Sequence, residues 1–167
     1  MDMLDGLLSR RSIRKYEDKE VPKDVLEKIL EAAMYSPTAM NKQAWEFIVT
    51  DDRKKFEGVL EEHGSAKMLL GANKAIVVCC NMDKVHDGYM EIDCGAVTQN
   101  ILLAAHGLGL GACWIGIHPR ENRVAKLREL YELPDHIQPF AMVSLGYPAE
   151  EHAMPERFDE AKIRWDI

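Results

Sequence analysis

The residues near the start of this chain that are best suited to chemistry are cations. Four of the six residues from position 10 to position 15 are positively charged, namely Arg10, Arg11, Arg14 and Lys15. Arginine binds phosphate through a planar fork of N–H donors, and the hydroxyl of Ser12 adds a neutral donor, so this sequence could hold a phosphate group. A short run of charges is also typical of a solvated loop. Both interpretations are open for residues 10–15, here called the arginine segment.

A second segment carries neutral hydrogen-bonding groups. In "SPTAMNKQ", residues 36–43, these are the hydroxyl and amide side chains of Ser36, Thr38, Asn41 and Gln43. They suit a polyhydroxyl chain and the carbonyl and imide edge of a ring. Phosphate, polyol and flat heterocycle together describe FMN better than a sugar phosphate or a nucleic acid. We call residues 36–43 the hydroxyl–amide loop.

A glycine-rich turn, "GLGLG" (107–111), follows a helical pattern and precedes a strand-like one. A dinucleotide-binding fingerprint has the reverse order, with the strand first and the helix last. The turn is therefore typical of a helix end, although glycines also let a flat ligand approach the backbone closely.

The common catalytic constellations are missing from the sequence. The six histidines have no H-x-x-x-H spacing, the four cysteines form no C-x-x-C pair, and no serine lies in a G-x-S-x-G elbow. We therefore predict no metal site and no catalytic side chain.

Composition limits the class of protein. A chain of 167 residues is the size of one domain, so residues 1–167 are predicted to form a single core. The net charge of −7 argues against general binding to nucleic acid or to an anionic membrane. No apolar run approaches the ~18 residues needed to span a bilayer, and the acidic N-terminus lacks the order of a signal peptide. With its cysteines in apolar runs, the protein is expected in the reducing cytoplasm.

Periodicity predicts alternating helices and strands, and hence an α/β or α+β class with helices on both faces of a central sheet. Helices are predicted at 22–35, from 51, at 89–106 and at 119–133, and strands at 45–50, 75–80, 112–117 and within 138–148. The tail, residues 149–167, has no period. It nevertheless carries apolar side chains that must either wrap its own domain or reach a partner: Met154, Phe158, Ile163, Trp165 and Ile167.

Five segments occur in an order that resembles the FMN-dependent nitroreductase family: "RRSIRKY" (10–16), "SPTAMNKQAWEF" (36–47), "QNILLAAHGLGLGACWIG" (99–116), "VSLGYP" (143–148) and "MPER" (154–157). The resemblance implies an α+β, nitroreductase-like fold with a central mixed β-sheet flanked by helices. It also implies an intertwined homodimer with an extended C-terminal tail and two FMN sites at the interface.

The resemblance assigns residues to the FMN site in three groups. The phosphate group comprises Arg10, Ser12 and Arg14, with Arg11 in the same segment and Arg157 from the tail. The group from the other subunit, facing the ribityl chain and ring, comprises Ser36, Pro37, Thr38 and Asn41, with Gln43 in the same motif. The ring itself would meet Ile115 and Gly116, with Lys67 near its pyrimidine edge.

The expected reaction is an oxidoreduction in which NAD(P)H passes a hydride to N5 of FMN. A nitroaromatic, a quinone or a similar small acceptor then replaces the nicotinamide in a ping-pong mechanism. Alternatives on the same fold are reductive dehalogenation and dehydrogenation of a small metabolite. A non-catalytic flavin-binding or redox-sensing module is a further alternative. A nucleic-acid binder that uses the arginine segment is disfavoured by the acidic balance of the chain.

Overall fold

The computed structural model describes residues 2–167, and in them five α-helices and four β-strands alternate. The helices are α1 (Met3–Ser9), α2 (Lys23–Met34), α3 (Arg53–Glu62), α4 (Met90–Gly107) and α5 (Glu121–Tyr131). The strands are β1 (Trp45–Thr50), β2 (Lys74–Asn81), β3 (Gly111–Gly116) and β4 (Ile137–Gly146). The predicted helices and strands are confirmed to within a few residues at each end, whereas α1 was not predicted.

The four strands form one sheet in the order β1-β2-β4-β3, and each neighbouring pair is antiparallel. The α+β fold with helices around a sheet is therefore confirmed. The family resemblance predicts a mixed sheet, with both parallel and antiparallel pairing. Within residues 2–167, the only parallel pairing is one isolated bridge between Ser12 and Ala112. This bridge attaches the arginine segment to the outer edge of β3.

Helices cover both faces of the sheet, because successive side chains of a strand point to opposite faces. On one face, Ile76 and Val143 pack in a buried cluster with α2 and α4. On the other face, Val77 and Met142 pack in a second cluster with α3 and α5. Helix α4 is predicted to be buried and contributes eight buried residues to its face.

Local sequence explains where the helices begin. The side chain of Asp52 accepts hydrogen bonds from the backbone N–H groups of Lys54 and Lys55 and so caps α3. Pro22, predicted at the first helical position of α2, is instead the N-cap residue, with extended backbone angles.

The tail after β4 is irregular, as predicted, apart from a short 3₁₀ turn at Glu160–Lys162. In the single chain its apolar side chains are exposed to solvent, with Phe158 77% and Trp165 66% exposed. No helix within residues 2–167 is both long and apolar enough to cross a membrane.

Candidate functional site

The arginine segment leaves α1 and runs along the edge of β3, held by its backbone. Ser12 forms the bridge with Ala112, and the N–H of Ile13 donates to the Ala112 carbonyl at 3.0 Å. The Ile13 side chain occupies the space that a Cβ at Gly111 would need, at 2.6 Å. The glycine turn found in the sequence therefore also makes room for the arginine segment.

A carboxylate holds the middle of the same segment through its backbone. Glu150 Oε1 accepts hydrogen bonds from the N–H groups of Arg14 at 2.6 Å and Lys15 at 3.2 Å. These bonds, led by the one from Arg14, keep the pKa of Glu150 below its usual range. The same oxygen lies 3.3 Å from Nε2 of His152, and the guanidinium of Arg14 has no ion-pair partner within residues 2–167.

The guanidinium groups of the arginine segment and of the tail lie close enough to repel one another. Burial lowers the pKa of Arg10, and the positive charges of Arg11 and Arg157 lower it further. Burial also lowers the pKa of His106, with Arg10 and Arg11 as further causes. The structure thus brings the tail residue Arg157 within electrostatic reach of Arg10. Within residues 2–167, no arginine of this cluster has a carboxylate within ion-pair distance, so an anion would relieve the repulsion.

Arg11 differs from the other arginines of the segment because two of its three guanidinium nitrogens already have partners. Its Nη1 donates to the carbonyls of Leu8 at 2.8 Å and Arg10 at 2.6 Å. Its Nε reaches the carbonyl of Ala153 at 3.5 Å. Arg11 therefore supports the end of α1 and the start of the tail, and it has fewer donors left for a ligand than Arg10 or Arg14.

A pocket of ≈ 250 Å³ joins the arginine segment to the end of β3. Its wall includes Arg14, Ile115 and Gly116, three of the predicted site residues, together with His63. A Cβ added at Gly116 would meet no described heavy atom within 4 Å, so a flat group could approach the backbone here. Lys67 lies exposed between two residues that line the pocket, at the start of a short 3₁₀ turn.

The hydroxyl–amide loop is held by its side chains, and these bind inside the fold. Ser36 is 6% exposed; its Oγ donates to the carbonyl of Ala33 at 2.7 Å and accepts from Nδ2 of Asn100 at 2.7 Å. Thr38 Oγ1 donates to Oδ2 of Asp93 at 2.8 Å. Pro37 between them is exposed.

The far end of the loop presents two amide side chains to solvent. Gln43 Nε2 donates to Asn41 Oδ1 at 3.0 Å, and both residues are exposed. Within the described chain, the Asn41 amide nitrogen and the Gln43 amide oxygen have no partner. They form an adjacent donor and acceptor, the pair that the carbonyl and imide edge of a ring requires.

Within one chain, Thr38 and the arginine segment lie far apart, because they contact opposite ends of α4. Thr38 is bonded to Asp93 near the start of α4, whereas Ser9, just before the arginine segment, lies 2.8 Å from Nε2 of His106 near its end. At about 1.5 Å per residue, these two positions on α4 are roughly 20 Å apart.

Three residues of the site region were not predicted from the sequence. Asp93 is a carboxylate next to the apolar run of α4, and that position is the signal that could have identified it. Glu150 gave no signal, because it lies in the acidic "AEEH" stretch of the tail. His63 also gave none, because its place in the pocket depends on how α3 ends against β3. Its pKa is lowered by burial and by the nearby Arg123.

Comparison with known proteins places this architecture in one family. The Nitroreductase family model matches residues 7–81 and 58–147. A protein of Methanothermobacter thermautotrophicus, named "Putative NADH dehydrogenase/NAD(P)H nitroreductase", is 46% identical over 98% of this chain and 86% of its own length.

Solved structures agree with this assignment. An FMN-dependent nitroreductase from Clostridium difficile R20291 superposes with a TM-score of 0.89 at 34% identity, covering 98% of this chain and 99% of that one. A protein from Desulfovibrio desulfuricans, described as a putative nitroreductase in complex with FMN, superposes with a TM-score of 0.85. It is 26% identical and covers 100% of this chain and 98% of that one.

Proposed function

The chain belongs to the nitroreductase family, and we propose that it is an FMN-dependent oxidoreductase that uses NAD(P)H to reduce a small acceptor. The observation that carries the proposal is the cluster of Arg10, Arg14 and Arg157, none of which forms an ion pair within residues 2–167, beside a pocket that ends at Ile115 and Gly116. We also propose that residues 1–167 form one FMN-binding domain, since both apolar clusters share a single sheet.

FMN suits the residues that are present. Its phosphate would meet the guanidinium groups of Arg10 and Arg14 and the hydroxyl of Ser12. Its flat ring would meet the open space over Gly116 and the apolar side chain of Ile115. When bound, FMN supplies the hydride-accepting centre, which explains why the protein needs no acid–base pair of its own.

The side chains then divide the remaining work. Arg10 and Arg14 anchor the phosphate by charge-assisted hydrogen bonds, and Arg157 adds a third cation from the tail. The Ile115 side of the pocket excludes water from one face of the ring. Lys67, a cation at the pocket rim, is proposed to stabilise negative charge on the ring's pyrimidine edge after reduction.

A second copy of the chain would complete the site. The roughly 20 Å between Thr38 and the arginine segment along α4 is the main support for this proposal. An apolar groove of ≈ 470 Å³ between α1, α2 and α4, lined by Met3, Leu7 and Leu103, also needs covering, as does the exposed apolar tail. We therefore propose a homodimer in which each flavin contacts the arginine segment of one subunit and the hydroxyl–amide loop of the other.

Subunit complementation tests the shared site. If the two motifs come from different subunits, a heterodimer of Arg10→Ala and Asn41→Ala chains contains one intact site, and mixing the two weak variants should restore activity. A single-subunit site predicts no restoration. A solution mass near 19.0 kDa, rather than twice that value, would also contradict the dimer.

The function itself is tested by the purified protein's visible spectrum and by anaerobic NADH and NADPH. A flavin spectrum that bleaches with either nicotinamide, and recovers when a nitroaromatic or quinone is added, supports the proposed oxidoreductase. Parallel double-reciprocal plots would support the ping-pong order, whereas intersecting lines would contradict it. A flavin that neither nicotinamide reduces favours a binding or redox-sensing module, and absence of flavin binding contradicts both.

A further inference from the structure

Asp93 is the one charged residue among the eight buried residues of α4. Only 4% of its surface is exposed, and it takes part in no ion pair within residues 2–167. Its Oδ2 accepts from Thr38 Oγ1 at 2.8 Å, and its Oδ1 accepts from the N–H of Ala39 at 3.1 Å. A buried carboxylate is unfavourable unless donors satisfy it, and two of its donors belong to the hydroxyl–amide loop. Asp93 and this loop therefore depend on each other.

The loop needs such an anchor because its backbone is strained. Met40, Asn41 and Gln43 have φ values of 52°, 54° and 48°, in the left-handed region that residues with a Cβ rarely adopt. Strained backbone of this kind persists only where the surrounding contacts determine it, and it concentrates at functional sites. The bonds from Asp93 to Thr38 and Ala39 come immediately before the strained residues.

Thr38 carries the influence of Asp93 to the exposed end of the loop. Its hydroxyl hydrogen points to Asp93, and its oxygen accepts from the backbone N–H of Gln43 at 3.2 Å. Gln43 in turn donates from its side chain to Asn41. Hydrogen bonds thus link Asp93 through Thr38 to the backbone of Gln43, and a further bond links the Gln43 side chain to that of Asn41, so Asp93 is connected to both amide residues at the tip.

We propose that Asp93 is a positioning residue that, through Thr38, holds the hydroxyl–amide loop in the shape that presents Asn41 and Gln43 to the flavin. The proposal rests on the FMN-dependent function proposed above. It also gives the Thr38 hydroxyl a different role from the one that the family resemblance implies. The hydroxyl braces the loop from within and does not need to touch the cofactor.

Four single variants test this role in apo-protein titrated with FMN. Asp93→Asn replaces one acceptor oxygen by a donor, and Thr38→Val removes the hydroxyl at nearly constant shape. Each should weaken FMN binding about tenfold, the effect of losing one good hydrogen bond. Thr38→Ser retains the hydroxyl and should bind within about twofold of wild type. Glu91→Gln is the matched control, because Glu91 is an exposed carboxylate in the same first turn of α4 and should leave the affinity unchanged.

The double variant Asp93→Asn/Thr38→Val tests whether the two residues act as one unit. Because the loss of either breaks the same chain of bonds, the double variant should bind FMN about as weakly as the weaker single variant, not about a hundredfold more weakly than wild type. If the double variant instead binds FMN about a hundredfold more weakly than wild type, the two residues act independently, and the proposed route from Asp93 through Thr38 is wrong. Should Asp93→Asn fail to fold, hydrogen exchange of residues 39–43 in flavin-free Thr38→Val decides, because a brace needs the hydroxyl even without flavin, whereas a hydroxyl that only touches the cofactor does not.

Hydrogen exchange in the apo-protein gives a readout that needs no flavin. The amides of residues 39–43 should exchange several times faster in Asp93→Asn and Thr38→Val than in wild type, and at the wild-type rate in Glu91→Gln. Unchanged exchange would overturn the role of Asp93 even if FMN binds. Failure of the wild-type protein to bind FMN would instead contradict the proposed function, and with it the flavin part of this proposal, whatever the exchange rates.

Discussion

In the arginine segment the backbone is bound and, within residues 2–167, the guanidinium groups of Arg10 and Arg14 have no ion-pair partner, whereas in the hydroxyl–amide loop the side chains of Ser36 and Thr38 are bound and the backbone beyond them is strained. The arginine segment lies on β3 through the bridge from Ser12 and is held at Arg14 by Glu150. The loop is held by the hydroxyls of Ser36 and Thr38, while its backbone takes left-handed angles from Met40 onwards.

This difference separates two ways of building a ligand site. Where the backbone supplies the shape, the side chains are available to a ligand, and changing them should alter affinity with little effect on folding. Where the side chains supply the shape, changing them should alter stability first and affinity only through the shape. The following four predictions test this separation, in order of decreasing effect.

Arg10→Ala should weaken FMN binding to the apo-protein by roughly thirtyfold, equivalent to ~2 kcal/mol for the lost charge-assisted bonds. The unfolding free energy should change little, because the side chain has no ion-pair partner in the described structure. FMN titration and urea unfolding of the same samples measure both quantities. Arg120→Ala, at an exposed arginine before α5, is the control for loss of one positive charge. An unchanged FMN affinity would contradict the proposal that Arg10 binds the phosphate.

Ser36→Ala should do the opposite and lower the unfolding free energy by about 1–2 kcal/mol, because Asn100 Nδ2 loses its acceptor in a partly buried place. FMN affinity should change by less than about threefold. Combining Ser36→Ala with Asn100→Ala should add little further destabilisation, since the shared bond is already broken. A large loss of affinity at unchanged stability would show that Ser36 contacts the ligand directly.

The support of the arginine segment by Glu150 should depend on pH. Its pKa is lowered from the usual 4.5, mainly by the Arg14 N–H, so the ionised carboxylate stabilises the folded chain above that pH. This contribution disappears as the pH falls through the lower, folded-state pKa. Glu150→Gln should therefore be less stable than wild type near neutral pH, and the gap should narrow as the solution is acidified. Urea unfolding from neutral pH to about pH 3 measures this difference in unfolding free energy, with Glu151→Gln as the control. A difference that does not change with pH would contradict the role of the ionised Glu150 carboxylate.

Arg11→Ala should have the smallest effect on FMN binding, less than about threefold, because the Arg11 donors already bind the carbonyls of Leu8 and Arg10. The same titration as for Arg10→Ala measures it, and the two variants form a matched pair. A loss of affinity as large as that of Arg10→Ala would mean that the guanidinium of Arg11 leaves these carbonyls to bind the phosphate.

Much of the fold follows from local sequence. The apolar runs of β1, β2 and the buried helix α4 can be recognised from single segments, and their boundaries agree with the structure to within a few residues. The residues of α1 were not predicted as a helix because seven residues carry too little periodicity, and no residue of α1 is buried. The purely antiparallel pairing of the four strands was not predictable from segment patterns, because pairing depends on long-range contacts between segments.

By itself, the sequence determined which groups are available: a cluster of arginines, a set of hydroxyls and amides, and glycines before a strand. Their chemistry belongs to the residue types and indicates a phosphorylated, flat ligand. Only the tertiary structure decided which of these groups remain free. Arg11 carries the same guanidinium group as Arg10, yet within residues 2–167 only the group of Arg11 has hydrogen-bond partners, and the hydroxyls of Ser36 and Thr38 are bound inside the fold. Some of these partners are local, such as Leu8 for Arg11 and Ala33 for Ser36. Asp93 and Asn100 on α4, however, lie 55 and 64 residues from the hydroxyls that they bind, so their part depends on long-range packing.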